Sequence, residues 1–491
     1  MIEIGIMQIA MVFLGVIVGI VFGALPGMTA TMAVAVFLPL TYAYDLATSM
    51  YLLLGLYVGG ISGGLIPAIL INIPGTPSSI CTGFDGYPMA KRGESVRALR
   101  IGILASLFGG LISLACLWAF TPPLARLAIQ FSAVEKFLII LFALSIIAAL
   151  SKGNMVAGAF AGFLGVLVAL IGQFDETMKM RMVPVFLRVD LRSGFALLPV
   201  LIGLFGIEQI LEEAETGMKE GHFRSNIAGQ NRGFSIKDFA GQAVNVVRSS
   251  IIGTFVGILP GVGGSAASLL SYSQAKNFSK HPEKLGTGEP EGLIASEAAN
   301  NGLTGGAMIP LLSLGIPGDS TTAVLIGAFM LQGVQVGPLF ISNNPMLWNS
   351  ILVALAIANI FMFITMFYPI KYVAKIIEIP KRRIFPIVIL LCVVGSYSAN
   401  NGSMFDVWTA LLFGIIGFIF HKIKMPTVPF LIGFILGRDL EKYFVDSIKG
   451  SGGSLSVFFI RPMAIVIWLF IIASIVWAVY DNNRSRKKAS A

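Results

Sequence analysis

A dozen apolar stretches punctuate this chain, each close to the length a helix needs to cross a lipid bilayer. A hydrocarbon layer of about 30 Å takes about 20 apolar residues at about 1.5 Å each. By that rule the stretches are 4–24, 47–72, 98–121, 134–150, 154–172, 193–210, 242–259, 293–316, 348–369, 384–400, 405–420 and 455–480. Two more, 26–42 and 321–340, begin just after a Pro-Gly pair, and 425–437 is short. Without water to satisfy the backbone, such stretches must be helical. The expected class is therefore an all-α polytopic membrane protein of about 11–12 crossings plus re-entrant hairpins. The first stretch carries Glu3 and no basic n-region, so it reads as a membrane segment rather than a cleaved signal peptide.

Composition narrows the function classes. The chain is 56% hydrophobic and 12% charged, where a soluble domain is about one quarter charged. The net charge of +9 is scattered through short loops without aromatic interleaving, which fits cytoplasmic membrane loops and not a nucleic-acid surface. Cys81, Cys116 and Cys392 are far apart, and His222, His281 and His421 are equally isolated. Neither a disulfide framework nor a thiolate or HExxH metal site is expected. No GxxxxGK[ST] loop occurs, which removes ATP hydrolysis by that machinery.

The chain reads as two similar halves. Gly23-Ala24-Leu25-Pro26-Gly27 returns as Gly257-Ile258-Leu259-Pro260-Gly261. Gly63-Gly64, Pro67 and Ile73-Pro74-Gly75 return as Gly305-Gly306, Pro310 and Ile316-Pro317-Gly318, with 243 positions separating both Pro67 from Pro310 and Pro74 from Pro317. Two ordered motif pairs point to an internal repeat. Residues 28–50 and 319–350 hold no Lys or Arg, whereas Lys91, Arg92, Arg97 and Arg100 follow the trailing motif of the first half and Lys276, Lys280 and Lys284 the leading motif of the second. Equivalent loops thus fall on opposite sides by the positive-inside rule, the signature of inverted topology. The interval 173–192 is assigned outside despite Lys179, Arg181, Arg188 and Arg192, which Asp175, Glu176 and Asp190 partly offset. Lys237 and Arg248 before and Lys276 after the second Pro-Gly motif make 242–274 a hairpin that returns to its own side; the first copy fits either a hairpin or two full helices. The expected organisation is a first repeat at 1–210, a polar cytoplasmic linker at 211–240, an inverted second repeat at 241–480 and a basic cytoplasmic tail at 481–491.

Proline inside a membrane helix removes a backbone hydrogen bond and glycine frees the chain to unwind, which is tolerated only beside protein or a water-filled cavity. Small polar residues accompany each of the four pairs: Pro26, Gly27, Thr29 and Thr31; Pro74, Gly75, Thr76, Ser78 and Ser79; Pro260, Gly261, Ser265 and Ser268; Pro317, Gly318, Ser320, Thr321 and Thr322. Helices restarting after such breaks aim free N–H groups and a positive dipole end at an anion, while unwound carbonyls coordinate a cation. The plainer alternative is four kinks with back-bonded hydroxyls. Asn72, just before the second break, is a further candidate polar ligand. Glu297, Asn300 and Asn301 lie at the start of an apolar span, where a carboxylate is costly, and with Asp319 they are candidates for coupling Na+ or H+. Glu297 has a bracing role as its alternative, and Asp319 a helix-capping one. Tyr57, Arg438 and Asp439 read as structural or interfacial groups.

Six blocks resemble the large membrane subunit of the tripartite tricarboxylate transporter family. They are Gly23–Tyr42 (GALPGMTATMAVAVFLPLTY), Ile71–Arg97 (INIPGTPSSICTGFDGYPMAKRGESVR), Gly194–Leu211 (GFALLPVLIGLFGIEQIL), Gly257–Lys276 (GILPGVGGSAASLLSYSQAK), Glu291–Asn301 (EGLIASEAANN) and Leu314–Pro338 (LGIPGDSTTAVLIGAFMLQGVQVGP). The blocks occur in order and span most of the chain. The resemblance implies a multi-pass carrier of the bacterial inner membrane, driven by a cation gradient. It implies a small membrane subunit and a periplasmic solute-binding protein as partners, the latter delivering carboxylates such as citrate.

The expected activity is accordingly cation-coupled import of a di- or tricarboxylate by alternating access, with no catalytic residues and no cofactor beyond a coupling Na+ or H+. An elevator-like movement of one pair of hairpins against a scaffold is compatible with this arrangement, as is a homo-oligomer. The rivals are a membrane-embedded enzyme on a lipid-like substrate, which needs paired acids or a nucleophile–base set, and a passive anion channel.

Overall fold

A computed structural model describes residues 5–149, 155–173, 180–216, 234–399 and 402–489. No strand occurs among the described residues, so the chain is an all-α polytopic membrane protein as expected. The first half comprises α1 (Ile6–Ala24), α2 (Ala30–Phe37), α3 (Leu46–Gly63), α4 (Leu65–Ile71), α5 (Ile80–Lys91), α6 (Ser95–Ile129), α7 (Ala133–Ala149) and α8 (Met155–Ala169). Then come α9 (Leu197–Leu201), a π-helical turn over Ile202–Ile207, α10 (Glu208–Glu215) and α11 (Ile236–Ala240). The second half runs through α12 (Ala243–Ile258), α13 (Gly263–Phe278), α14 (Pro290–Leu314), α15 (Ser320–Leu331), α16 (Phe340–Asn343) and α17 (Pro345–Phe367). It ends with α18 (Ile370–Val373), α19 (Lys381–Ser398), α20 (Met404–Lys422), α21 (Thr427–Gly450), α22 (Val457–Ile460) and α23 (Pro462–Ala489).

Among the described residues, five helices are long and apolar enough to cross a membrane: α1, the α3–α4 pair, α6, α17 and α20. The stretch expected at 26–42 contributes only the eight residues of α2 and a 3-10 turn, and that at 321–340 the twelve of α15. At about 1.5 Å per residue neither reaches across a bilayer alone. Residues 427–437 of the 425–437 segment open the 24-residue α21. Most of the expected linker, 217–233, lies outside the described residues, as do the last two residues of the expected tail.

Two hairpins are built alike. Gln8 on α1 donates to Thr48 on α3, and after the turn Ser49 donates to the Thr41 carbonyl, so the chain returns to the end of α3 where it began. This settles the first copy as a hairpin. In the second, Asn245 on α12 donates to the Glu291 carbonyl and Ser279, just after α13, to the Glu291 carboxylate, so 242–274 also returns to its own end. The first limb of each hairpin packs backbone to backbone through glycine. A methyl group at Gly15, Gly19 or Gly23 would overlap α3, and one at Gly253 or Gly257 would overlap α14. Such close approach is how helices associate where lipid supplies no hydrophobic drive. The core of the molecule is α14, buried along nearly its whole length.

Two contacts fix the ends. Gln332, just past α15, donates to the carbonyls of Thr41 and Tyr44, so α2 and α15 lead to one end. Arg92, just past α5, donates to the carbonyls of Thr287 and Gly288, so α5 and the segment following α13 meet at the other. Arg438 donates to the Ser193 carbonyl and shares a cavity with Val336–Phe340 and Asn343, so the chain around Ser193 lies at the end where α15 finishes.

Candidate functional site

Each Pro-Gly pair breaks its helix, for a local reason. Proline disfavours helical backbone in the residue before it, and Leu25 and Leu259 take up extended φ/ψ of −94°/113° and −83°/114°. The chain then reverses through Gly27 (φ 88°) and Gly261 (φ 75°). The trailing breaks fold back further. Asn72 (φ 57°) and Gly315 (φ 76°) end their helices in the left-handed region, Ile73 donates to the Pro67 carbonyl at 3.4 Å, and Ile316 to that of Pro310 at 3.3 Å. Each doubled-back strand seats its glycine on the neighbouring hairpin: a methyl at Gly75 would overlap the Gly23 carbonyl oxygen, and one at Gly318 that of Gly257. Gly261 donates to the Gly318 carbonyl at 2.9 Å.

The four breaks then meet across the halves. Thr31 at the tip of α2 hydrogen-bonds Ser320 and Thr321 at the tip of α15, both at 2.9 Å. Ser265 on α13 donates to the Pro77 carbonyl at 2.8 Å. Between these two contacts lies a cavity of about 300 Å³, lined among others by Thr29, Thr31, Thr76, Ser78, Gly261, Ser265, Asp319, Ser320 and Thr321. Nine expected site residues from all four breaks therefore share one cavity.

The remaining ones shape it or stand apart. Gly75, Pro317 and Gly318 are buried in the doubled-back strands, Pro74 is half-buried there, and Pro260 is buried at the α12–α13 turn. Ser79 hydrogen-bonds Thr76 at 3.0 Å, and Ser268 donates to the Ser296 carbonyl at 3.3 Å inside the α13–α14 contact. Gly27 is exposed and packs beneath Glu213 and Lys381, themselves paired at 2.5 Å, with Pro26 half-buried beside it. Asn72 is exposed at the end of α4 and does not line the cavity.

Asp319 is an N-terminal cap. Its side chain accepts from the Thr322 amide and hydroxyl, both at 2.7 Å, and from the Tyr57 hydroxyl at 2.8 Å, while its own amide donates to the Thr322 hydroxyl. Tyr57, read as structural from the sequence, is thus the partner that fixes a cavity-lining acid. Arg438 binds the Ala169 and Ser193 carbonyls, away from the cavity.

Glu297 and its neighbours form a second, fully buried layer. The Glu297 carboxylate accepts from the hydroxyls of Thr82 and of Ser106, the latter at 3.0 Å, and faces the Asn301 amide at 3.5 Å. Asn301 accepts from Ser62 at 2.6 Å. Asn300, one turn on, is wholly buried, and neither its amide nitrogen nor its oxygen makes a hydrogen bond of standard geometry. It lies between the cavity and the carboxylate: a methyl at Gly264 would sit 3.3 Å from its oxygen and 2.5 Å from Ser78.

Phe205, Glu208 and Gln209 also line the cavity, and the sequence reading passed over them. A signal existed: Glu208 is a carboxylate within the apolar stretch 193–210, the criterion that picked out Glu297. On its other side Glu208 faces His421 at 3.6 Å, and His421 also faces Glu212 at 3.3 Å. These three side chains could hold a metal ion among the described residues, and mutual ion pairing accounts for their geometry equally well.

Among the lining residues, Glu208 and Asp319 are acidic and none is Lys, Arg or His. What the cavity offers an anion is hydroxyls and helix starts. Thr29 caps α2 by accepting from the Met32 amide, whereas α13 begins without a side-chain cap. Uncapped first-turn amides and aligned dipoles favour negative charge.

The chain has recognisable relatives among known proteins. The sequence profile of the Tripartite tricarboxylate transporter TctA family matches residues 9–432. The chain is 35% identical over 481 residues to an "Uncharacterized 52.8 kDa protein in TAR-I ttuC' 3'region" of Agrobacterium vitis, covering 97% of this chain and 94% of that one. It is also 35% identical over 235 residues to an "Uncharacterized protein in TAR-II ttuC' 3'region" of the same organism, covering 48% of this chain and 97% of that one. No solved structure matches.

Proposed function

Because the chain belongs to the tripartite tricarboxylate transporter TctA family, we propose that it imports a di- or tricarboxylate, such as citrate, on a cation gradient and binds it where the four broken helices meet. The large subunit of this family works with a small membrane subunit and a periplasmic solute-binding protein, and membership in a transporter family implies that the chain is not an enzyme. The finer reading is ours: inner-membrane location in a bacterium, the carboxylate, the coupling cation and the Pro-Gly site.

The observation that carries the reading is the single cavity shared by Thr31, Ser78, Ser265 and Thr321, one residue from each broken helix. A polycarboxylate needs many hydrogen-bond donors, and the hydroxyls with the uncapped start of α13 supply them without a fixed cation. The two cross-half contacts give alternating access a physical form. Parting Thr31 from Ser320 and Thr321 opens the cavity toward the end where α2 and α15 finish; parting Ser265 from Pro77 opens it toward the end where α5 and α13 finish. The paired geometries of Leu25 with Leu259 and Asn72 with Gly315 support reading 1–210 and 241–480 as inverted repeats joined by 211–240, with 481–491 a cytoplasmic tail. An elevator-like motion of the paired hairpins is consistent with that reading.

The test is uptake of labelled citrate and related carboxylates by liposomes holding both membrane subunits, with the binding protein outside. Thr31→Ala, Ser78→Ala, Ser265→Ala and Thr321→Ala should each express normally and transport less. Full uptake in all four would overturn the assignment.

A further inference from the structure

We propose that Glu297 carries the coupling proton and that its protonation state reaches the cavity through Asn300 and Ser78. This deepens the transport reading and rests on it. Glu297 is wholly buried, and the partners its carboxylate has are neutral: Thr82 on α5, Ser106 on α6, and Asn300 and Asn301 on its own helix. A carboxylate without a cationic partner is expensive at such depth unless a proton or metal ion neutralises it. The packing favours the proton. Each carboxylate oxygen already meets a hydroxyl, and a hydroxyl that donates to the ionised group can equally accept from the protonated one.

The titratable groups on the surrounding helices are engaged elsewhere. Asp85 on α5 accepts from the amides of Gly286, Gly288 and Glu289 and from the Tyr272 hydroxyl of α13. It lies against Gly292, over a turn from Glu297. Cys81 packs with Tyr272, Ala275, Leu285 and Ala295. On α6, Arg97 pairs with Glu94 and Arg100 stacks over Phe367. Arg248 on α12 stacks over Phe278, and α3 contributes Ser62.

The link to the cavity is a matter of helical spacing. Residues three or four apart share one helix face. Ser78, in the 3-10 turn over Pro77–Ser79 that leads directly into α5, lines the cavity, while Thr82 in the first turn of α5 holds Glu297; on α14, Glu297 and Asn300 are three apart and share a face. The same two segments therefore touch the carboxyl group at one level and the cavity at the next. When the carboxyl group loses its proton it becomes an acceptor for both hydroxyls, and any turn of Thr82 or shift of α14 is felt at Ser78 and at the Asn300 amide.

The test uses the reconstituted tripartite system with citrate as probe. Wild type should accumulate citrate on a pH gradient with sodium equal on both sides. Glu297→Gln, which mimics the protonated group, should retain citrate exchange at equilibrium, lose gradient-driven accumulation and lose the pH dependence of uptake; Glu297→Asp should restore part of both. Wild-type accumulation by Glu297→Gln would overturn the proposal. So would a folded Glu297→Gln that fails in exchange as well, or a wild type driven by sodium and indifferent to the pH gradient. If Glu297→Gln does not fold, calorimetry of citrate binding to wild type in two buffers of different ionisation enthalpy decides. Proton exchange on binding supports the proposal, and none overturns it. Failure of the transport reading looks different: wild type would neither bind nor exchange any carboxylate.

Discussion

The hydroxyl of Thr31, at the start of α2, lies 2.9 Å from that of Thr321, at the start of α15, although 290 positions separate them in sequence. It is equally close to Ser320. Two short helices, neither long enough to span a bilayer, are thereby held tip to tip over the cavity. Thr31 is the hinge of that contact because both bonds end on its one oxygen.

Replacing Thr31 with Val keeps the shape and removes both bonds. A hydrogen bond of this kind contributes about 1 kcal/mol, so losing both corresponds to about a thirty-fold shift in a two-state opening equilibrium. Spin labels placed at Tyr44 and Gln332, at the ends the two helices lead to, should report a larger fraction of the separated state in Thr31→Val. An unchanged distance distribution would show that the contact does not hold the tips together.

Gly75→Ala and Gly318→Ala should each yield little folded protein. The added methyl meets a backbone oxygen, of Gly23 or of Gly257, which cannot rotate away. Overpacking costs about 1–3 kcal/mol even where neighbours are side chains. Gly450→Ala, at a position open to its surroundings, is the matched control and should leave yield and melting temperature unchanged in detergent size-exclusion and thermal assays.

Asp319→Ala should lower the melting temperature more than Tyr57→Phe. The first change removes an N-cap, worth about 1 kcal/mol, and leaves the buried Tyr57 hydroxyl unpaired at a further cost of about 1–3 kcal/mol. The second removes one donor and leaves the Thr322 cap in place. Equal melting temperatures would contradict the capping role of Asp319.

Asp85→Asn should loosen the lysine-rich end. One Asp85 oxygen accepts three amides, those of Gly286, Gly288 and Glu289, each at 2.8 Å. Bonds to an ionised acceptor are about twice as strong as neutral ones. Hydrogen exchange at those three amides should quicken in Asp85→Asn while the amides of α14 stay protected; uniform exchange across both would refute a local clasp.

Much of this was legible because proline acts on its immediate neighbours. Leu25 and Leu259 are extended because Pro26 and Pro260 follow them, a consequence readable from two adjacent residues. Charge located the ends of 242–274 because lysines flank it, but it was silent for α1 and α2, whose flanks carry no basic residue. Pairings across the halves were not legible. Nothing at Thr31 points to Ser320, nothing at Tyr57 to Asp319, and Glu208 went unnoticed within an otherwise apolar run. Asn72 shows the opposite difficulty: its place beside Pro74 suggested a ligand, yet the left-handed turn that ends α4 carries it to the surface.

The most direct test of the central claim is substrate protection of a single cysteine. With Cys81, Cys116 and Cys392 replaced by Ala, Ser265→Cys places a thiol on the cavity wall and Ser451→Cys one at the C-terminus of α21, far along the chain. A negatively charged thiol reagent should label position 265 more slowly as the transported carboxylate is added, and label position 451 at a constant rate. Labelling of position 265 that ignores saturating carboxylate would contradict a binding site at the meeting point of the four breaks.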